Sequence, residues 1–348
     1  MKLGLVGYPQ VGKRSLFRLL TGQELNKAGV GLARVRDPRF DWLVELYQPA
    51  KNTPAQLEFA LIPDLEEQGN AEALKGLEKV DVVCHLIRAF ADEAVFHLAG
   101  SVDPRRDLGR LEEELHLADL LFIEKRSERL QKERKLKGEG PKAKQEEELL
   151  GRFQAHLEGG HPLRTLSLGD EETRLIASYP FLTLKPLLLV LNLGEDQMGD
   201  TGLIGELREG FAGLGCEWVA VSAQIEEELA QLDPEERHAF LAELSQEEPA
   251  LDRLTRVCYQ ALGLISFFTV GADEVRAWTI RRGALAPQAG RVIHSDIERG
   301  FIRAEVMKYA DLHTLGSEHK VKEAGRWQQK GRDYLVEDGD IFHFLFKV

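Results

Sequence analysis

Gly7-Tyr8-Pro9-Gln10-Val11-Gly12-Lys13 has the G-x-x-x-x-G-K spacing of a phosphate-binding loop. Its glycines let successive backbone N–H groups point into one concavity. A helix N-terminus and the Lys13 ammonium then add positive potential for phosphates. The motif should end in Ser or Thr, whose hydroxyl ligates Mg²⁺ between the β- and γ-phosphates. Here that place holds Arg14, and Ser15 comes one residue late. A helix turns by about 100° per residue, so Ser15 does not inherit the same direction. Arginine carries donors only and cannot ligate a cation. The phosphate cradle reads as intact and its metal site as damaged.

Such a loop needs a strand before it and a helix after it. Lys2–Gly7 reads as a short buried parallel strand, and Leu16, Phe17, Leu19 and Leu20 supply the apolar positions of the helix. Three further apolar runs, Leu57–Ile62, Val80–Ile87 and Leu187–Leu191, with a shorter one at Trp218–Val221, predict an α/β fold with a doubly wound, mostly parallel sheet. Between the third and fourth strands, Leu111, Leu115, Ala118 and Phe122 recur at helical spacing among dense charge. Gly138-Glu139-Gly140-Pro141 breaks that helix, and Leu149, Phe153 and Leu157 begin the pattern again. An inserted antiparallel helical hairpin follows from this. From Leu264 onward, Arg276–Ile280, Phe301–Val306 and Asp340–Val348 predict a small mixed module with turns at Gly283 and Asp338-Gly339.

The chain has 348 residues, 43% apolar and 30% charged, enough for two or three domains with cores of their own. Its net charge of -13 argues against a protein that coats nucleic acid by bulk charge. Residues 264–348 carry a net +1 and the rest of the chain -14, so a local basic face remains open. Cys84, Cys216 and Cys258 lie far apart, which predicts reduced thiols rather than a disulfide scaffold or a thiolate zinc site. No long apolar run or leader pattern stands out, so a cytoplasmic protein without a membrane span is expected. His85 reads as a core histidine, and Trp278, Phe342, Phe344 and Phe346 as sheet residues. Arg281, Arg282, Arg291, Arg299 and Arg303 read as solvated charge or as a phosphate-facing patch.

The loop, taken with later segments, resembles the YchF-type Obg-like ATPases of the TRAFAC P-loop GTPase class. Gly100-Ser101-Val102-Asp103-Pro104 matches that family's turn before its helical insertion, and Leu182–Pro186 leads into the strand before the base motif. Phe268–Gly271, Glu274–Ile280, His294–Glu305 and Tyr334–Asp340 match its TGS module. The resemblance spans nearly the whole chain. It implies a P-loop nucleotide-binding domain in residues 1–110 and 180–263, a coiled-coil hairpin in 111–179, and a ubiquitin-like β-grasp TGS domain in 264–348.

Where GTPases have N-K-x-D, the chain has Asn192-Leu193-Gly194-Glu195, similar to the family's N-x-x-E version that goes with ATP over GTP. Val221-Ser222-Ala223-Gln224 resembles its last base-loop motif. The resemblance therefore implies a nucleotide site of Gly7, Gln10, Val11, Gly12, Lys13, Arg14, Ser15, Asn192, Leu193, Glu195, Ser222 and Ala223. Its ligand would be ATP or ADP, with GTP possible.

The family's D-x-x-G falls on Leu61-Ile62-Pro63-Asp64, so its metal-side Asp has become Leu61 and its γ-phosphate Gly has become Asp64. The Gly-rich segment after it is shortened to about 66–70, and the Thr of the first switch has no counterpart. No catalytic residue and no metal ligand is assigned. The expectation is a monomer that holds a nucleotide without productive Mg²⁺ and associates with the ribosome or ribosomal RNA. The rival expectations are a slow ATPase, using Asp64 or a glutamate at 66–67, and an adaptor that works without nucleotide.

Overall fold

Strands of two kinds, runs buried on both faces and alternating half-buried ones, assemble two six-stranded sheets in the computed structural model. It describes residues 1–23, 29–66, 69–137, 140–199 and 202–347. Glu67, Gln68, Gly138, Glu139 and Val348, which entered the sequence reading, lie outside them. In chain order the strands are β1 (Lys2–Val6), β2 (Val30–Arg34), β3 (Lys51–Thr53), β4 (Gln56–Leu61), β5 (Val82–Arg88) and β6 (Leu187–Asn192). They continue as β7 (Cys216–Val221), β8 (Leu264–Thr269), β9 (Glu274–Arg281), β10 (Phe301–Lys308), β11 (Gln328–Lys330) and β12 (Asp340–Phe346).

The first sheet has the order β2-β4-β1-β5-β6-β7, and β4, β1, β5, β6 and β7 pair in parallel. Its central strands are continuous apolar runs because helices cover both faces of such a sheet. Every residue of β5 and β6 is buried. Burial of a Leu or Val of these strands stabilises the fold by about 1.5–3 kcal/mol. The second sheet has the order β11-β10-β12-β8-β9-β3. Here β12 lies parallel to β8, while β10–β12 and β8–β9 are antiparallel. Phe267, Phe301, Phe342 and Ala304 fill the core of its module, and Trp278 and Phe344 pack against them.

By internal contacts the chain forms two units, residues 1–31 with 58–253, and residues 32–57 with 254–348. This division differs from the domains that the resemblance implies at 32–57 and at 254–263, which that reading groups with the phosphate loop, and it does not set the hairpin apart as a unit. In the structure β3 pairs in parallel with β9, and Arg39 of the helix Pro38–Tyr47 donates to both carboxylate oxygens of Asp338 at 3.0 and 3.1 Å. Both features involve positions more than two hundred residues apart in sequence, and no local pattern announces them.

The hairpin helices are Pro104–Lys137 and Pro141–Glu158. The first starts seven residues before the Leu111 that periodicity indicates. Asp103 and Pro104 explain this: Asp103 Oδ1 accepts from Arg106 N at 3.0 Å, and proline suits the first helical position. Ile123, Leu130, Leu149, Phe153 and Leu157 pack between the helices with Phe181. Arg126 grips Glu146 through Nε at 2.6 Å and Nη2 at 3.0 Å, and Tyr179 donates to the same carboxylate. Among the described residues, no helix is long and apolar enough to cross a membrane. Cys84 and Cys258 are buried, Cys216 is partly buried, and none of the three forms a disulfide.

Candidate functional site

The loop after β1 is shaped by backbone that only certain residues tolerate. A Cβ on Gly7 would come within 2.4 Å of the Leu86 carbonyl, so glycine is what lets this turn lie against β5. Gln10 and Gly12 both take left-handed backbone, with φ of 61° and 95°. A Cβ on Gly12 would also meet Asn192 Nδ2 at 2.5 Å. The helix Lys13–Thr21 then starts without a side-chain cap. Its first N–H groups lack intrahelical partners, the condition that makes a helix N-terminus receptive to anions.

Gln10, Gly12, Lys13, Arg14 and Ser15 line a cavity of about 1390 Å³. Asn192, Leu193, Glu195 and Ala223 line it from the other side. Nine of the twelve residues expected from sequence thus meet around one space. Gly7, Val11 and Ser222 are not among its walls. Val11 is 1% exposed, and its carbonyl receives Asn192 Nδ2 at 3.0 Å. Ser222 caps the helix Ala223–Leu229 by accepting from Ile225 N. All three shape the walls from behind.

Asn192 braces the site. Besides its bond to Val11, its Oδ1 accepts from Ala223 N at 3.0 Å, and its carbonyl accepts from Ala89 N and Phe90 N. One side chain and its backbone therefore hold three loops in register. Leu193 is buried and Glu195 exposed at the rim.

Lys13 is 6% exposed, and its Nζ donates to the Ile62 carbonyl at 3.0 Å. The same Nζ pairs with Asp64 Oδ1 at 2.6 Å. Burial lowers the Lys13 pKa, and the Asp64 partnership opposes that shift. His85 behind it is 1% exposed, and burial together with Lys13 pushes its pKa down to about 3. A neutral imidazole fits the expected core role.

Sequence reasoning missed Arg88 and the segment it organises. Arg88 is 1% exposed and donates to the carbonyls of Phe90, Asp92, Val95 and Phe96, stacking its guanidinium over the Phe90 ring at 4.4 Å. Phe90, Ala91, Asp92 and Val95 form part of the cavity wall. The available signal was an arginine ending an apolar strand, since a buried guanidinium must find acceptors. Tyr8 was also missed: it lines the cavity, and burial raises the pKa of its hydroxyl while nearby Arg110 of the first hairpin helix opposes that shift.

The YchF-GTPase_C family, described as a protein of unknown function (DUF933), matches residues 264–347. The "Ribosome-binding ATPase YchF" of Haemophilus influenzae is 40% identical over 363 residues, covering 100% of this chain and 99% of the relative. Its namesake from Bacillus subtilis is 39% identical, covering 99% of each chain. Among solved structures, the Schizosaccharomyces pombe YchF GTPase superposes with a TM-score of 0.88 at 32% identity, over 99% of this chain and 97% of the other.

Proposed function

The chain belongs to the YchF family of the TRAFAC P-loop GTPase class, and from that premise we propose that it is a ribosome-associated factor that binds an adenine nucleotide and hydrolyses it little. The observation that carries this is the joint placement of Lys13, the uncapped helix and the Asn192 brace around one cavity. Phosphates would meet the N-terminal amides of Lys13–Thr21 and the Lys13 ammonium. Leu193 and Phe90 offer apolar surface to a base. Glu195 replaces the aspartate that accepts from guanine N1 and N2, and its extra methylene supports adenine over guanine.

Mg²⁺ is the cofactor the family implies, and the donors present do not fit it. Arg14 stands at the hydroxyl place and Leu61 at the carboxylate place, while the Asp64 carboxylate is engaged by Lys13. Catalysis of phosphoryl transfer rests on stabilising the charge that spreads over the transferring group, and these are the parts that supply it. A second reading, a slow ATPase, draws on Ser15, whose residue does line the cavity.

The named relatives bind ribosomes, and we extend that partner to this chain. The parallel pairing of β12 with β8 supports a β-grasp TGS module in 264–348. That module and the hairpin are the proposed contact surfaces, on a monomeric, cytoplasmic protein. Thermal shift with ATP, ADP and GTP tests the binding, and a nucleotide-independent melting point would contradict it. Phosphate release with Mg²⁺ that disappears in Lys13→Ala would favour the ATPase instead.

A further inference from the structure

An ammonium has three N–H donors. Lys13 Nζ spends one on the Ile62 carbonyl and one on Asp64 Oδ1, which leaves one for a phosphate. The lysine of such a loop serves both the β- and the γ-phosphate of a triphosphate. Here one of those two places is taken by a carboxylate of the chain itself.

Asp64 is also held where it is. Ile62 N donates to the Leu5 carbonyl at 2.9 Å, and Leu65 N to the Gly7 carbonyl at 3.1 Å. Leu65 is 1% exposed. Proline at 63 fixes φ between these two anchors. The backbone around Asp64 is therefore tied to β1 and to the phosphate loop on both sides. Its carboxylate faces the same cavity as Gly12, Arg14 and Ser15.

Resting on the adenine-nucleotide reading above, we infer that Asp64 is a specificity residue that makes the site take nucleoside diphosphates in preference to triphosphates. A β-phosphate uses the remaining Lys13 donor and the helix N-terminus. A γ-phosphate arriving beside it meets a like charge already hydrogen-bonded to the lysine it needs. To displace Asp64, it must break the ion pair and leave a carboxylate facing its own oxygens. Arg14 lines the same cavity, but its side chain is exposed, and solvent screens its charge.

Calorimetric titration of full-length protein with ADP and with ATP, in EDTA, tests this in the native chain, Asp64→Asn and Asp64→Glu. Half-exposed Asp64 tolerates both changes, and unfolding midpoints confirm that each variant is folded. The expected result is ADP at least about tenfold tighter than ATP in the native protein, a like-charge effect. That ratio should fall to about twofold or less in Asp64→Asn and persist in Asp64→Glu, which keeps the charge. Equal or tighter ATP binding by the native protein, or a ratio that Asp64→Asn leaves unchanged, overturns the inference alone. Binding of neither nucleotide by any of the three proteins overturns the nucleotide reading with it.

Discussion

Gly12 combines a φ of 95° with an approach of 2.5 Å between its absent Cβ and Asn192 Nδ2. Gly12→Ala should therefore cost about 1–3 kcal/mol through backbone strain alone, with the Asn192 brace displaced as well. Urea unfolding measures the loss, and an unchanged midpoint would show that the brace is dispensable. Asn192→Ala removes the acceptor of Ala223 N and the donor to Val11. It should weaken nucleotide binding more than it weakens the fold, since the central strands do not depend on it. Comparing its thermal shift on ligand addition with its apo melting point separates the two effects. At this scale the loop was legible because seven consecutive residues carry its chemistry. The brace was not, because Asn192 and Val11 are 181 positions apart and only the parallel sheet brings them together.

Two buried carboxylates on helices, Asp119 and Glu226, tie those helices to distant backbone. Asp119, 1% exposed on the first hairpin helix, accepts from Leu182 N, Thr183 N and Thr183 Oγ1 at 2.8, 2.8 and 2.6 Å. Asp119→Ala leaves those buried donors without an acceptor and should cost about 3 kcal/mol or more in urea unfolding. Glu226 accepts from Ala250 N at 2.7 Å and so caps the start of the helix Ala250–Ala261. Burial pushes its pKa up to about 7, against the opposing Ala250 hydrogen bond. The folded chain thus holds a proton that the unfolded chain releases near the usual glutamate value of 4.5. Stability from this group is full below about 4.5 and falls as pH rises toward 7. Glu226→Gln keeps an acceptor oxygen and should flatten the profile in that window, with a gain above pH 7 of up to about 3 kcal/mol. A native profile already flat there would contradict it. Strands β1, β5 and β6 were legible as unbroken apolar runs. Strands β2 and β3 were not: β2 alternates within a short segment, and β3 is three polar residues held by pairing with β9.

Across the whole molecule, charge sets the terms for a nucleic-acid partner. A chain of net -13 approaches RNA only through segregated positive groups, and residues 264–348 and the hairpin segment 121–150, with nine basic and seven acidic side chains, are where they lie. Co-sedimentation with ribosomes should therefore weaken steeply with salt and be lost when either segment is deleted. Equal pelleting without both would remove them as contact surfaces. The two-unit division escaped the sequence for the same reason as the brace: residues 32–57 join the C-terminal module through β3–β9 and Arg39–Asp338 contacts that no local pattern encodes. The proposed function requires that an adenine nucleotide sit on the Lys13 loop. Its most direct test is calorimetric titration with ADP and GDP, in the native protein and in Lys13→Ala. ADP should bind at least as tightly as GDP, and Lys13→Ala should lose both. GDP tighter than ADP by about tenfold, which is about 1.4 kcal/mol, or undiminished binding by Lys13→Ala, would contradict it.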